Sequence, residues 1–372
     1  MKIILSLFYF SYFSLVGVYI MFMPVALQGF GYDKVEIGII YSAAPFMRFL
    51  LPFIFKHYIK LTHNIYTVAL LFTLISSTLF IFTVHDFTTH LFANLLFGAS
   101  MGITLPFVET ISLQKLSKRL YGKIRMWGSV GFITVALSLK ALSPLPMTTI
   151  YILIFTTLLT LIFGYLILQY EIEDKIENSK DDKSFSLKKY WAFWVSIFLM
   201  QVAFGGFYTF FSIYETAHGF KEYFPYLWTF AVICEIVMLY FQGTLLQRNL
   251  LTIIKFATLI TVVRWLLLYL YPNSLEITFF SQSFHAISFA LYHTASITYV
   301  YSLYTQKRLA QQFFLGISFG LGGSVGSFIA GYVYGDTGEY LFLFEAFITF
   351  GAFLMLFVHS NRISEHQELS KT

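Results

Sequence analysis

The chain has 372 residues, of which 58% are hydrophobic, 20% aromatic and only 12% charged, and its mean hydropathy is +0.72. A soluble domain carries about one quarter charged residues, so this composition excludes a soluble globular protein and indicates a polytopic membrane protein. The net charge of +5 does not indicate nucleic-acid binding, because the basic residues do not gather into one binding face.

Apolar runs of roughly 20 residues, the length that crosses a bilayer, recur about twelve times. The first follows Met1-Lys2 and continues to Leu27, so we expect a retained span rather than a cleaved signal peptide. The predicted spans cover residues 4–27, 37–56, 65–84, 90–113, 126–142, 149–169, 190–213, 223–245, 250–271, 275–303, 310–334 and 340–360.

The basic residues predict the orientation of these spans. Nineteen of the 24 Lys and Arg residues fall on one side, three fall on the other, and Arg48 and Arg264 lie within spans. Cytoplasmic loops carry an excess of Lys and Arg, so we expect both termini in the cytoplasm. A mixed-charge segment separates six spans from six. The predicted parts are an N-terminal half at 1–170, a cytoplasmic linker at 171–189, a C-terminal half at 190–361 and a cytoplasmic tail at 362–372.

The two halves share a short sequence. Residues 128–131 in span 5 and 323–326 in span 11 both read Gly-Ser-Val-Gly, at equivalent positions in the two sets of six spans. Small residues let helices approach closely in lipid, so either tight packing alone or an interface that moves would explain them. The glycines concerned are Gly128, Gly131, Gly323 and Gly326.

Three polar residues are predicted near the middle of the membrane. At 1.5 Å per residue, Glu235, Arg264 and His285 lie about 18, 10 and 15 Å from the outer ends of spans 8, 9 and 10. Intramembrane charges of this kind mark functional sites, although a structural ion pair between Glu235 and Arg264 is the alternative. His293 lies deeper and about 80° around the helix from His285, so we do not expect the two histidines to share a face.

Other polar residues allow several interpretations. Histidine titrates near neutrality and burial can raise the pKa of a carboxyl group, so the midplane set could bind a proton as well as an anion. Glu109 in span 4 and Arg125 at the entrance to span 5 could form a pair. Arg48 could extend toward the interface or pair with an acid. Glu345, early in span 12, is expected near the outer interface in a structural role.

Several kinds of site are not expected from this sequence. It contains no nucleotide-binding glycine loop with lysine, no Cys/His cluster with metal-ligand spacing and no serine-elbow motif. We therefore expect no cofactor and no metal. Active transport would draw on an ion gradient rather than on ATP hydrolysed by this chain.

The motifs at residues 121–132 and on span 10 resemble those of the major facilitator superfamily. The first reads Tyr-Gly-Lys-Ile-Arg-Met-Trp-Gly-Ser-Val-Gly-Phe, and the second fixes Gln282, His285, Phe289 and His293 on one helix. The resemblance is to the branch that holds the bacterial 3-phenylpropionic acid transporter, with the lactose permease more distant. It implies an all-α membrane protein of 12 transmembrane helices, arranged as two six-helix pseudo-repeats around a central cavity. It also implies a multi-pass protein of the bacterial cytoplasmic membrane.

The resemblance implies a set of site residues in each half. Ser288 stands where the lactose permease has its proton-carrying acid, so we expect any proton on Glu235 or His285. The loop after span 2 keeps Lys60 of the family signature, while Ile59 and Thr62 depart from it. The implied site residues are Glu109, Arg125, Ser129 and Phe132 in the first half; Glu235, Arg264, Gln282, His285 and His293 in the second; and Arg48, Lys60 and the four glycines named above for gating or structure.

The resulting prediction is a secondary active transporter rather than an enzyme. The favoured activity is proton-coupled symport of a small organic solute, such as an aromatic acid like phenylpropionate, by alternating access. A nucleoside or oligosaccharide symporter and an exporter on the same fold are the alternatives. An intramembrane enzyme using His285 is a remote one, since it would not need two related halves. The expected partners are the solute, a proton and the lipid bilayer; we expect a monomer and no nucleic acid.

Overall fold

The computed structural model describes residues 1–57, 62–142, 145–170 and 186–369, and these ranges fold into twelve helical spans. Each span overlaps one of the twelve predicted apolar runs. In chain order they are α1 (Lys2–Gly29), α2 (Lys34–His57), α3 (His63–Thr83), α4 (Phe87–Lys115), α5 (Lys118–Leu142), α6 (Pro146–Ile167), α7 (Trp191–Ala217), α8 (Phe224–Phe241), α9 (Leu250–Leu270), α10 (Leu275–Ser283, Ala286–Leu291 and Tyr292–Leu303), α11 (Lys307–Leu315, Gly316–Gly322 and Gly323–Thr337) and α12 (Leu341–Leu369).

The helices are those of a membrane protein. Nine of those in the described ranges are long and apolar enough to cross a bilayer. The boundaries differ most at two places: α12 continues to Leu369 rather than ending near residue 360, and α5 begins at Lys118 rather than near residue 126. The α7 helix also continues to Ala217 rather than ending near residue 213. A helix does not have to end where its apolar run ends, because its hydrogen bonds continue into the interface.

Side chains in the loops begin several of the helices. Asp86, Asn249 and Ser274 precede α4, α9 and α10, and each accepts a hydrogen bond from the backbone N–H three residues later. Such N-caps satisfy one of the backbone donors that the first turn of a helix leaves open.

The chain forms two compact units. The first contains α1–α6 together with Tyr208–Thr229, and the second contains the remainder of α7 and the chain from Phe230 onward. The C-terminal part of α7 and the start of α8 therefore belong to the first unit, although they follow the predicted linker in sequence. Division of the chain into halves at 1–170 and 190–361 stays a prediction, and most of the linker, 171–185, lies outside the described residues.

The repeated Gly-Ser-Val-Gly segments make matching contacts in their own units. In the first unit, a methyl group on Gly131 of α5 would overlap the backbone oxygen of Phe10 on α1. In the second, a methyl group on Gly326 of α11 would overlap the backbone oxygen of Val202 on α7. Equivalent glycines thus seat equivalent helices directly on a neighbouring backbone, which only a residue without Cβ allows.

The other two glycines lie at the same helix pairs. A Cβ on Gly128 would stand 2.6 Å from the ring of Phe13 on α1. The backbone oxygen of Gly323 lies 2.6 Å from the position that a Cβ on Gly205 of α7 would take. Tight packing accounts for all four glycines, and a role in movement stays a prediction.

Within the described ranges, three π-helical segments interrupt the spans. They are Val18–Phe22 in α1, Ala286–Leu291 in α10 and Gly316–Gly322 in α11. A π-helical turn closes i→i+5 hydrogen bonds and so holds more residues than an α-helical turn, and such turns are frequent at functional sites. The segment in α10 lies between the two histidines predicted for the site.

Candidate substrate-binding clusters

The second unit is built around Arg264, which is completely buried on α9. Its guanidinium is held by α10: Nη2 donates to Oε1 of Gln282 at 2.8 Å, and Nη1 donates to Oγ of Ser288 at 3.1 Å. Nη1 also lies 3.0 Å from Nδ1 of His285. Three side chains spaced along one helix therefore fix the position and plane of the guanidinium.

Aromatic rings surround the same guanidinium. Its Cζ lies 4.4 Å from the ring centroid of Phe207 and 4.7 Å from that of Trp265, with Phe204 at 5.9 Å. Cation–π contacts of this kind are worth about 2 kcal/mol or more when they are shielded from water. The rings thus stabilise a positive charge while excluding the solvent that would screen it.

His285 is held in a single protonation form by its two neighbours. A guanidinium can only donate hydrogen bonds, so Nδ1 of His285 accepts from Arg264 and the ring proton lies on Nε2. Nε2 lies 3.8 Å from Oε2 of Glu235 on α8. A second proton on Nδ1 would break the contact with Arg264. Glu235 has 19% of its side chain exposed, and a proton-carrying role for either residue stays a prediction.

The expectation that His285 and His293 lie on different faces of α10 is wrong. The ring of Phe289 stacks on His285 at 5.1 Å and 4°, and His293 stacks on the same ring at 6.3 Å and 18°. The π-helical turn Ala286–Leu291 is the cause, because it takes up additional residues and rotates His293 back into line. The three rings form one column along the helix.

The first unit holds the second charged set. Arg125 on α5 and Glu109 on α4 form an ion pair at 3.5 Å, and each side chain is 32% exposed. The Cζ of Arg125 also lies 4.0 Å from the ring centroid of Phe13 and 5.4 Å from that of Tyr9, both on α1. Three helices of this unit thus meet at one half-exposed arginine.

Two further predicted residues lie one and two turns along α5. Ser129 is half-buried, and Phe132 is nearly buried with its ring edge-on to Trp228 at 6.2 Å. Trp228 in turn stacks against Tyr208 and donates a hydrogen bond to Ser212 at 3.1 Å. An aromatic group therefore adjoins the predicted stacking residue within the first unit.

Comparison with known proteins gives these clusters a family context. The model of the MFS_1-like family matches residues 2–346, which is most of the chain. The chain belongs to the MFS_1-like family. This is a family of transporters rather than an enzyme class, and the chain is accordingly an integral, multi-pass membrane protein that acts on a small-molecule substrate.

Individual relatives agree with that assignment. A probable 3-phenylpropionic acid transporter of Escherichia coli (strain K12) is 25% identical over 368 residues, covering 94% of this chain and 96% of the relative. The solved nucleoside transporter NupG matches with a TM-score of 0.79 at 17% identity, covering 97% and 98% of the two chains. The human organic anion transporter MFSD10 matches with a TM-score of 0.66 at 14% identity, covering 95% and 98%. These likenesses show the twelve-helix major facilitator fold.

The remaining predicted residues of this MFS_1-like chain have less defined surroundings. Arg48 on α2 is exposed, and its positive charge interacts electrostatically with the hydroxyl groups of Tyr12 and Tyr19 on α1. Lys60 and Ile59 lie outside the described residues. The gating roles of Arg48 and Lys60 stay predictions, as do the binding roles of all residues in the two clusters.

Sequence reasoning missed one buried acid of this MFS_1-like chain, Glu215, and did not predict the burial of another, Glu345. Glu215 on α7 and Glu345 on α12 are buried, and in the described part of the chain none of their carboxyl oxygens has a hydrogen-bond partner. Glu215 was passed over because α7 was predicted to end at residue 213. Glu345 was predicted near the outer interface because depth counting cannot show which side of an apolar helix is covered by protein.

Proposed function

We propose that the chain is a proton-coupled symporter that imports a small organic acid, with an aryl carboxylate such as 3-phenylpropionate as the favoured substrate. The observation that carries this proposal is Arg264, a fully buried guanidinium fixed by Gln282, His285 and Ser288. Maintaining such a charge in the membrane interior is costly, and charges there are most often retained for function.

The donors around Arg264 suit a carboxylate. Arginine binds carboxylates through paired N–H donors. The amide Nε2 of Gln282 is a second donor beside it, buried and without a hydrogen-bond partner in the described part of the chain. A bound carboxylate could accept from both, which would satisfy a donor that is otherwise left open.

The rings near Arg264 suit the aryl part of such a substrate. Phe204, Phe207 and Phe289 lie beside the arginine and His285 and offer apolar faces for an aromatic ring. The relative from Escherichia coli, whose name refers to 3-phenylpropionic acid, supports the same class of substrate. Glu109 and Arg125 are the corresponding polar groups of the first unit.

The proposal also covers energy source and location. Glu235 contacts His285 within the cluster, so the charge of an acid in this unit is linked to the arginine network. We therefore propose that the proton gradient drives uptake without a cofactor. The excess of Lys and Arg on one side supports a cytoplasmic-membrane protein with both termini inside. The proposed functional unit is a monomer.

Purified protein provides a direct test. We expect 3-phenylpropionate to raise the thermal unfolding temperature, whereas the uncharged analogue 3-phenylpropionamide, which lacks the carboxylate that Arg264 would bind, should not. Proteoliposomes with an alkaline interior should accumulate labelled 3-phenylpropionate, and Glu235→Gln should abolish that accumulation.

Other results would redirect the proposal. Stabilisation by uridine or lactose but not by the acid would assign a different substrate class. Uptake by everted vesicles alone would indicate an exporter. Unchanged accumulation by Glu235→Gln would remove Glu235 from the substrate cluster.

A further inference from the structure

Glu345 is the most deeply buried acid of the second unit. It lies near the start of α12 with 1% of its surface exposed, and neither carboxyl oxygen has a hydrogen-bond partner among the described residues. An isolated carboxylate is very unfavourable in such surroundings, and a neutral carboxylic acid is tolerated far better. The arrangement is therefore that of an acid that carries its proton.

The helices packed against Glu345 leave room for it and bring one charge near it. Gly206 on α7 provides the space, since a methyl group there would overlap Oε1 of Glu345. Trp265, next to Arg264 on α9, stacks on Phe342 and donates a hydrogen bond to Thr349 of α12 at 3.1 Å. The α9 helix therefore packs on the part of α12 that carries Glu345, and Arg264 is the charge on that segment of α9. The other basic residues of α9 and α12, Lys255 and Arg362, lie toward the opposite ends of these helices, where Lys255 covers the ring of Phe357.

Arg264 is consequently shared between Glu345 and the proposed carboxylate site. The same guanidinium is hydrogen-bonded to Gln282, His285 and Ser288 on α10. His285 lies between this guanidinium and Glu235. One positive charge cannot neutralise both Glu345 and Glu235, so the acid in the less favourable surroundings is the one that holds a proton. Glu235 is partly exposed and faces the Nε2–H of His285, whereas Glu345 has neither advantage.

Glu215 differs from Glu345 in one respect. It is equally buried, and its oxygens likewise have no hydrogen-bond partner in the described residues. Glu215 belongs to the first unit, whereas Glu345 belongs to the same unit as Arg264. Glu215 is therefore the matched control, a buried acid that is not part of the Arg264 cluster.

We propose that Glu345 is the proton-binding site that couples transport; this inference rests on the proposed function. One proton from the outside binds a carboxylate oxygen of Glu345, travels with one solute anion and leaves to water on the cytoplasmic side. The ionised carboxylate of Glu345 is then restored.

Competition for Arg264 explains the coupling. With Glu345 ionised, its carboxylate neutralises Arg264 and a solute carboxylate gains little from binding there. Protonation of Glu345 removes that competitor, so the solute anion binds to the arginine. Release of either the proton or the solute weakens binding of the other, as linkage between two sites requires.

Glu345→Gln mimics the protonated acid with little change in size. In proteoliposomes we expect this variant to keep counterflow of labelled 3-phenylpropionate and to lose accumulation driven by the pH gradient. Glu235→Gln should lose both, since Glu235 belongs to the substrate cluster, and Glu215→Gln should keep both. Gradient-driven accumulation by Glu345→Gln, or the same split in Glu235→Gln instead, would overturn the assignment.

An infrared measurement tests the proton without a substrate. To remove the band of the other buried acid, the measurement uses the Glu215→Gln protein. We expect it at neutral pH to show the carbonyl band of a buried protonated acid, to lose that band reversibly at alkaline pH, and to lack it when Glu345→Gln is added. Glu345→Asp should restore the band and accumulation. If the wild-type protein does not transport 3-phenylpropionate, the proposed substrate fails, and the band alone decides for or against Glu345.

Discussion

The two units each contain one arginine in a polar cluster, but they hold it in opposite ways. Arg125 is one-third exposed and faces an ionised partner, Glu109, at 3.5 Å. Arg264 is completely buried and its hydrogen bonds go to the neutral groups of Gln282, His285 and Ser288. Breaking a solvated ion pair costs little free energy, typically about 0–1 kcal/mol. Removing a partner from a buried charge costs much more, because that charge depends on the groups around it for its stabilisation.

This difference suggests different tasks for the two arginines. Arg125 can exchange its acid partner for a solute group, since water screens it while it does so. Arg264 is already held in a fixed position, and its interaction energy increases most when a negatively charged solute group binds beside it. Arginine and lysine are not equivalent at such a site, because only the planar guanidinium reaches several acceptors at once.

Replacement of arginine by lysine should therefore have very different effects on the two clusters, and this is the largest difference that we expect. We expect Arg264→Lys to reduce uptake by roughly 100-fold or more and to lower the unfolding temperature, since disrupting a buried charged network costs about 3–5 kcal/mol. The matched Arg125→Lys variant should change the free energy of unfolding by less than about 1 kcal/mol. Uptake of labelled solute and thermal unfolding of purified protein measure both effects. Similar losses of stability in the two variants would abolish the distinction.

The repeated glycines test where the two units are alike. Gly131→Ala and Gly326→Ala should each lower the free energy of unfolding by about 1–3 kcal/mol, because the new methyl group overlaps a neighbouring backbone oxygen. Gly122→Ala is the matched control in α5: a Cβ there meets nothing within 4 Å, so the protein should be unchanged or slightly more stable. Thermal unfolding of the three variants checks this. A tolerated alanine at one of the two equivalent glycines would mean that the repeated sequence does not repeat a contact.

The sequence was sufficient to predict the twelve spans because a helix must bury its backbone polar groups wherever it crosses lipid. Depth counting along those spans also brought Glu235, Arg264 and His285 to one level, and the structure brings them into one network. Both results depend only on the number of residues along the chain, because a helix rises by a constant distance per residue and this distance gives the depth in the membrane.

Rotation about the helix axis was not predictable in the same way. The π-helical turn that aligns His293 with His285 leaves no pattern in a helix that is apolar on every side. The burial of Glu345 depends on which neighbours α12 packs against, and hydropathy does not reveal them when lipid and protein interior are equally apolar. The missing signal in both cases is the direction of a side chain rather than its depth.

The smallest expected change in stability concerns Asp86, an exposed carboxyl group outside both clusters. Hydrogen bonding from Thr89 holds the pKa of the Asp86 carboxyl below its usual range. A carboxyl whose pKa is lower in the folded protein stabilises it above the unfolded pKa, and this contribution is lost as the pH falls through the folded value. Asp86→Asn keeps the N-cap of α4 and should remove only this acid dependence, whereas Asp86→Ala should also lower the unfolding temperature slightly at neutral pH. Unfolding measured from neutral to acid pH distinguishes them. If Asp86→Asn retained the full acid dependence of the wild type, the hydrogen bonds at this cap would not be its source.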